Sequence, residues 1–176
     1  MSSPEIRHDW TLEQIHVLFQ YPFNDLIYRA HTVHRQSFQA NAVQISSLLN
    51  VKTGLCPEDC SYCPQSGHYK KKKKKEPLMT LEQVKTAAKK AKENGAGRFC
   101  IAAAWRSPPK KELANILEMV SAIKALDLEA CATLGMLTQE QALQLSDAGL
   151  DYYNHNLDTS PEYYQTIIST RTYQER

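Results

Sequence analysis

From residue 42 onward a strand-length apolar segment followed by a capped amphipathic helix recurs four times. This alternation limits the possible folds more than any other feature of the chain. Strands are expected at 43–49, 98–103, 129–134 and 150–154, and helices at 80–94, 110–126, 138–148 and from Pro161 to about 168. The helix starts carry their own signals. Thr80 with Gln83, and Thr138 with Gln141, form capping boxes, in which a hydroxyl and a glutamine side chain satisfy two otherwise free backbone N–H groups. Gly95 and Gly149 stop the same two helices, and Pro161 suits a first helical turn. Strands joined in this way need right-handed crossovers and a parallel sheet. A closed barrel of eight such units needs about 250 residues. The chain has 176 residues and four units, so it is a small open sheet or the front half of a barrel. Two helices, near 11–19 and 24–38, precede the alternation. The expected organisation is a helical segment over 1–41 and a β/α domain over 42–176.

Composition bounds the class. Apolar residues make up 42% and charged residues 23%, the balance of a globular protein. No apolar run approaches the ~18 residues of a membrane span, and residues 1–10 show no apolar signal region, so a cytoplasmic protein is expected. The net charge of +2 conceals an asymmetry, because six lysines form one run at 70–75. Without that run fifteen basic residues face nineteen acidic ones, and nucleic-acid binding has no support from charge. The run reads as a solvated loop, since like charges repel and stay hydrated.

The cysteines carry the chemistry. An odd count of five, with no export signal, argues against a disulfide framework. Cys56, Cys60 and Cys63 stand at C-x₃-C-x₂-C spacing just after the first strand, the end at which barrel enzymes build their sites. Three thiolates can ligate three irons of a four-iron cluster and leave the fourth open to substrate. Structural zinc is an alternative, with His68 as fourth ligand, and so is an arrangement with no metal. Cys100 and Cys131 fall mid-strand on the second and third strands. Alternation puts Arg98, Cys100 and Ala102 on one face and Phe99, Ile101 and Ala103 on the other, the first set facing a barrel interior.

The three-cysteine motif, with Tyr62 before its last cysteine, resembles the signature of the radical S-adenosylmethionine (SAM) superfamily. The longer run from Cys56 to Ser66 resembles the biotin synthase family. So do the blocks at 98–105, 128–135, 149–159 and 170–176. The resemblance implies a (β/α)₈ barrel of which this chain is the N-terminal part. It implies a [4Fe–4S] cluster on Cys56, Cys60 and Cys63, with SAM on the open iron. It implies sulfur insertion into dethiobiotin to give biotin, the last step of biotin biosynthesis. A second, [2Fe–2S] cluster would take Cys100 and Cys131 as ligands, and its other two ligands have no counterpart here.

On the fourth strand Asn154, Asn156 and Asp158 alternate and can point one way; the resemblance assigns Asn154 and Asn156 to dethiobiotin, and Asn156 and Asp158 to SAM. Arg176 would lie near the SAM carboxylate. The residues alone also allow these Asn and Asp side chains to cap local backbone. Trp105 lines the site or packs at its rim, and His155, of opposite parity, is structural. The family further implies an electron donor such as flavodoxin or ferredoxin, and a homodimer. Two readings of function follow. One is a biotin synthase lacking part of its barrel and inactive alone. The other is a non-catalytic iron–sulfur or zinc-binding fragment that needs a complementary half.

Overall fold

In the computed structural model, which describes residues 7–69, 74 and 76–176, the chain divides into two units, 1–43 and 44–176. Of the lysine run only Lys74 is among these residues, so the solvated loop expected there lies outside them. The first unit holds α1 (Leu12–Gln20) and α2 (Phe23–Ser37). Thr11 opens α1 with a capping box: its N–H donates to Gln14 Oε1 at 3.2 Å, and Gln14 N–H donates to Thr11 Oγ1 at 3.3 Å.

The second unit runs β1 (Ser46–Lys52), α3 (Leu81–Glu93), β2 (Arg98–Ala103), α4 (Lys110–Lys124), β3 (Glu129–Thr133), α5 (Gln139–Asp147), β4 (Tyr152–Tyr153) and α6 (Tyr164–Ile167). Both expected capping boxes are present, at Thr80 with Gln83 and at Thr138 with Gln141. The four strands are parallel and lie in the order β1-β2-β3-β4. Sequential order without reversal, combined with right-handed crossovers, places successive helices on the same face of the sheet. That is the arrangement of a barrel wall rather than of a doubly wound sheet.

The core lies between this sheet and its helices. Phe99 and Ile101 of β2, Ala130 and Ala132 of β3, and Val51 of β1 meet Val84 of α3 and Ile116, Met119, Val120 and Ile123 of α4. Each fully buried large apolar side chain stabilises the fold by about 1.5–3 kcal/mol. The opposite face carries Leu48, Cys100, Cys131 and Tyr152 in one register row, with Leu48 61% exposed and Tyr152 45% exposed. The parity expected for β2 is the parity found.

β3 ends one residue short of its expected 129–134, and two other strands differ further from their expected bounds. The first is expected at 43–49, whereas β1 begins at Ser46. Val43 and Ile45 are apolar but exposed, and the strand is set by its partner, beginning at Ser46↔Arg98 and ending at Lys52↔Ala103. The fourth is expected at 150–154 and holds only two residues. Its flanks still bond to β3, Asp151 N–H to Ala130 O at 3.0 Å and Asn154 N–H to Ala132 O at 2.8 Å, so the pairing is longer than the strand. The last helix is likewise a single turn rather than the eight residues expected.

Candidate active site

The sheet's C-terminal edge holds a cavity of ≈ 220 Å³, and the cysteine loop forms one wall of it. β1 ends at Lys52, and the chain then turns through Gly54 and Leu55, both at positive φ. Cys56 pairs locally with the far end of the loop. Its N–H donates to Gln65 O at 2.9 Å, and its carbonyl accepts from Gly67 N–H at 2.8 Å. Within that closed loop Cys63 N–H donates to Cys60 O at 3.0 Å, and Tyr69 Oη donates to the same carbonyl at 2.6 Å. The result is a loop braced by its own backbone, with Cys56, Cys60 and Cys63 all lining the cavity.

The three thiols are free of disulfides. Burial pushes those of Cys56 and Cys60 up. The fields of Glu58 and the other loop cysteines add to this at Cys56, and Arg171 opposes it at Cys60. Among the described residues no three His, Cys, Asp or Glu side chains converge as a single ion requires. His68 Nε2 is engaged by the Pro57 carbonyl at 2.8 Å. Three thiols on one braced loop, all lining one cavity, are the donor set that a four-iron cluster with one open iron takes.

The opposite wall comes from the segment after β4. Asn156, Asp158 and Arg176 line the cavity together with the cysteines and Trp105. Asp158 stands at φ +71, and its side chain is only 2% exposed. Tyr62 Oη donates to Asp158 Oδ1, Arg171 Nη2 donates to Oδ2 at 3.0 Å, and Arg176 Nε lies 3.5 Å from Oδ2. Arg176 Nε also donates to Asn156 O at 2.6 Å. Reciprocal bonds between Thr172 and Glu175 fix the turn that carries Arg176.

Asn154 stands apart. Its Nδ2 donates to Thr133 Oγ1 at 3.2 Å, and it does not line the cavity, although Thr133 does. Simple alternation from 154 to 158 does not hold, because the strand ends at Tyr153. His155 is half-buried and stacks on Tyr153 at 6.0 Å, and burial with the Arg176 charge lowers its pKa.

The floor is the inner face of the sheet. Asn50, Ala102 and Thr133 are register partners and line the cavity. Two residues earlier on each strand come Leu48, Cys100 and Cys131, about 7 Å nearer the strands' N-terminal ends. Burial and the bond to Cys131 push the Cys100 thiol up. Among the described residues no third His, Cys, Asp or Glu joins these two at metal-binding spacing.

Four residues that build the site have no periodic signal in the sequence and are not among the expected ligands: Glu58, Asp59, Arg106 and Arg171. Glu58, 3% exposed, accepts from Arg106 Nη1 at 2.8 Å, Arg171 Nη1 at 2.9 Å and Thr170 Oγ1 at 2.5 Å. Asp59 accepts from Ser169 N–H at 2.9 Å and Thr170 N–H at 3.2 Å. Residues 167–171 therefore clamp the cysteine loop, with Ser61 N–H donating to Ile167 O at 2.9 Å as the backbone contact. Charge balance alone points to such a clamp: two carboxylates among three thiols repel unless cations neutralise them, and Arg171 stands in the last block.

The radical SAM superfamily pattern matches residues 50–176. Over all 176 residues the chain is 58% identical to a biotin synthase of Marinobacter nauticus, covering 50% of that protein. It is 60% identical over 173 residues to a biotin synthase of Chromohalobacter salexigens, covering 47% of it. The chain thus spans about half the length of the curated relatives it matches. Among solved structures, a crystal structure of methylornithine synthase superposes on 94% of the chain with a TM-score of 0.75 at 17% identity, over 49% of its own length. That likeness is one of fold, and it agrees with a partial (β/α) barrel.

Proposed function

The chain belongs to the radical SAM superfamily, and from that premise we propose that it carries part of the active site of a biotin synthase. The observation that supports this best is the single cavity shared by Cys56, Cys60, Cys63, Asn156, Asp158 and Arg176. Cys56, Cys60 and Cys63 would hold a [4Fe–4S] cluster. When bound, such a cluster supplies an electron to SAM, and the resulting radical chemistry prepares dethiobiotin for sulfur insertion.

The chain's own residues would bind and orient. Asp158 offers a buried carboxylate to ribose hydroxyls, and Asn156 offers amide donors and acceptors to SAM or to the ureido group of dethiobiotin. Arg176 suits the SAM carboxylate, because a guanidinium donates along two parallel bonds. Asn154 lies outside the cavity and would act on dethiobiotin through Thr133, which its amide holds and which lines the cavity. Trp105 and Tyr62 would exclude water from the cavity.

Cys100 and Cys131 would supply two thiolates to a [2Fe–2S] cluster one row below. Their fit is partial, since the described residues offer them no further donor. The inner face stays open around them, with Leu48 and Tyr152 exposed beside the pair. The chain alone would therefore not make biotin. An electron donor such as flavodoxin or ferredoxin and a second copy of the enzyme are the partners this reading expects, in the cytoplasm. Among the described residues no helix is long and apolar enough to cross a membrane.

The test supplies anaerobically reconstituted chain with reductant, SAM and dethiobiotin. The assay is run with and without a chain bearing the part of a curated relative that this one does not match. Biotin is expected only from the pair. Biotin from the chain alone would contradict the open-face argument, and failure of the pair to produce either biotin or 5′-deoxyadenosine would contradict the functional reading.

A further inference from the structure

Five alternating charges cross the cavity wall in an unbroken line: Arg106, Glu58, Arg171, Asp158 and Arg176. Its centre is Arg171, 5% exposed at the side chain, with carboxylates 3% and 2% exposed on either hand. All three arms of the guanidinium are in use. Nη1 donates to Glu58 Oε2 at 2.9 Å, Nη2 to Asp158 Oδ2 at 3.0 Å and Nε to Tyr164 Oη at 2.8 Å. Tyr164 is itself fully buried. Among the described residues no buried side-chain nitrogen or oxygen lacks a partner.

Glu58 lies inside the cysteine loop, between Cys56 and Cys60, whereas Asp158 lies on the facing wall, 100 residues later in the chain. Asp158 also stands at φ +71, a left-handed region that aspartate enters more readily than most residues. The Arg171 bond to Oδ2 holds the carboxylate in place on that backbone.

We infer that Arg171 is a positioning residue, a rigid strut that fixes the Asp158 carboxylate relative to the cysteine loop. Lysine could keep the charge, but a single ammonium on a flexible stem cannot bridge three fixed partners. The inference rests on the function proposed above. A ligand held at one end by the cysteine-bound cluster and at the other by Asp158 needs those two ends at a set separation, and loss of a strut loosens that separation without removing either end.

The test compares the parent chain with Arg171→Lys, Glu58→Gln and the double variant. After anaerobic reconstitution, iron and sulfide per chain should be equal in all four. The SAM concentration that half-saturates the change in the reduced cluster's paramagnetic resonance spectrum should rise at least ten-fold in Arg171→Lys. Glu58→Gln should act in the same direction, and the double variant should be no worse than the poorer single, as for two ends of one strut. An unchanged half-saturation at equal iron content overturns the inference.

Hydrogen exchange on the metal-free chain is a second test that does not depend on the cluster. Arg171→Lys should speed exchange in residues 56–63 and 156–159 together and leave β3 unchanged. Equal protection in both regions overturns the strut. If the parent takes up no cluster or ignores SAM, the functional reading fails, and this exchange experiment still decides the role of Arg171.

Discussion

Cys100 and Cys131 face each other across two parallel strands as direct register partners, on the face of the sheet turned away from the helices. Cys131 is buried and Cys100 partly buried, but neither joins the apolar cluster under the helices, which takes Phe99, Ile101, Ala130 and Ala132 from the same strands. The proposed second cluster would use this adjacency. Replacing either with Ser should leave the iron bound by the Cys56 loop and its spectrum intact. When the chain is paired with the part of a curated relative that it does not match, the same changes should abolish the absorption expected of the proposed [2Fe–2S] cluster. Loss of the first cluster's signal in Cys100→Ser would contradict this division of labour.

The same parity has an energetic consequence. Ile101 is fully buried against the helical layer, and Cys100 is only partly buried on the other side. Ile101→Ala should destabilise the chain by about 2–4 kcal/mol, through lost burial and the cavity left behind. Cys100→Ala should cost less than about 1 kcal/mol, as for a position outside the core. Denaturant midpoints of the two variants check this, and equal losses would mean that the two faces are misassigned.

Gly135 marks where the backbone after β3 passes under the loop after β2. It sits at φ +90, and a Cβ there would stand 2.4 Å from Arg106 O and 2.6 Å from Trp105 O. Those are backbone atoms, and Met136 N–H already donates to Arg106 O at 2.7 Å, so there is little freedom to move aside. Gly135→Ala should destabilise by roughly 2 kcal/mol or more, and it should disturb the Trp105 side of the cavity. A thermal midpoint within a degree of the parent would contradict the close approach.

Asp151 ties β4 to β3 and gives the fold an acid-sensitive contact. The bond from Lys124 holds its carboxyl below the usual range. Burial opposes this and the Ala130 N–H reinforces it. With a folded pKa below the unfolded value of about 3.9, its contribution is complete above that value and is lost as pH falls through the folded pKa. Asp151→Asn should be less stable than the parent near neutral pH, by less than about 1 kcal/mol for a pair this exposed. The gap should close as pH falls below the unfolded value and through the folded pKa. Urea unfolding at several pH values measures it, and a gap that widened in acid would contradict the sign.

The local signals of this fold are legible in the sequence because they are local. Threonine–glutamine boxes at 80 and 138 satisfy backbone within one turn, and strand alternation assigns Cys100 and Ile101 to opposite faces. Strand ends depend instead on what lies beside them. β1 begins where Arg98 offers a partner, three residues after its apolar run starts, and β4 is two residues long because the chain leaves the sheet after Tyr153. The cysteine loop reads as a ligand set from spacing alone. Its clamp does not, since Glu58 and Arg171 stand 113 positions apart and neither has a periodic signal. The expected row of Asn154, Asn156 and Asp158 needs a strand that ends too early to carry it, and a positive φ at Asp158 turns that carboxylate into the cavity wall instead.

The central claim is that Cys56, Cys60 and Cys63 hold a four-iron cluster with one open iron. Iron and acid-labile sulfide should be counted in anaerobically reconstituted chain, together with the paramagnetic resonance spectrum of the reduced protein with and without SAM. The account predicts about four irons and four sulfides in the cysteine-loop cluster, a reduced signal that SAM alters, and loss of that signal when any one of the three cysteines is replaced by Ala. Zinc without sulfide, or a four-iron signal unchanged in all three variants, would contradict it.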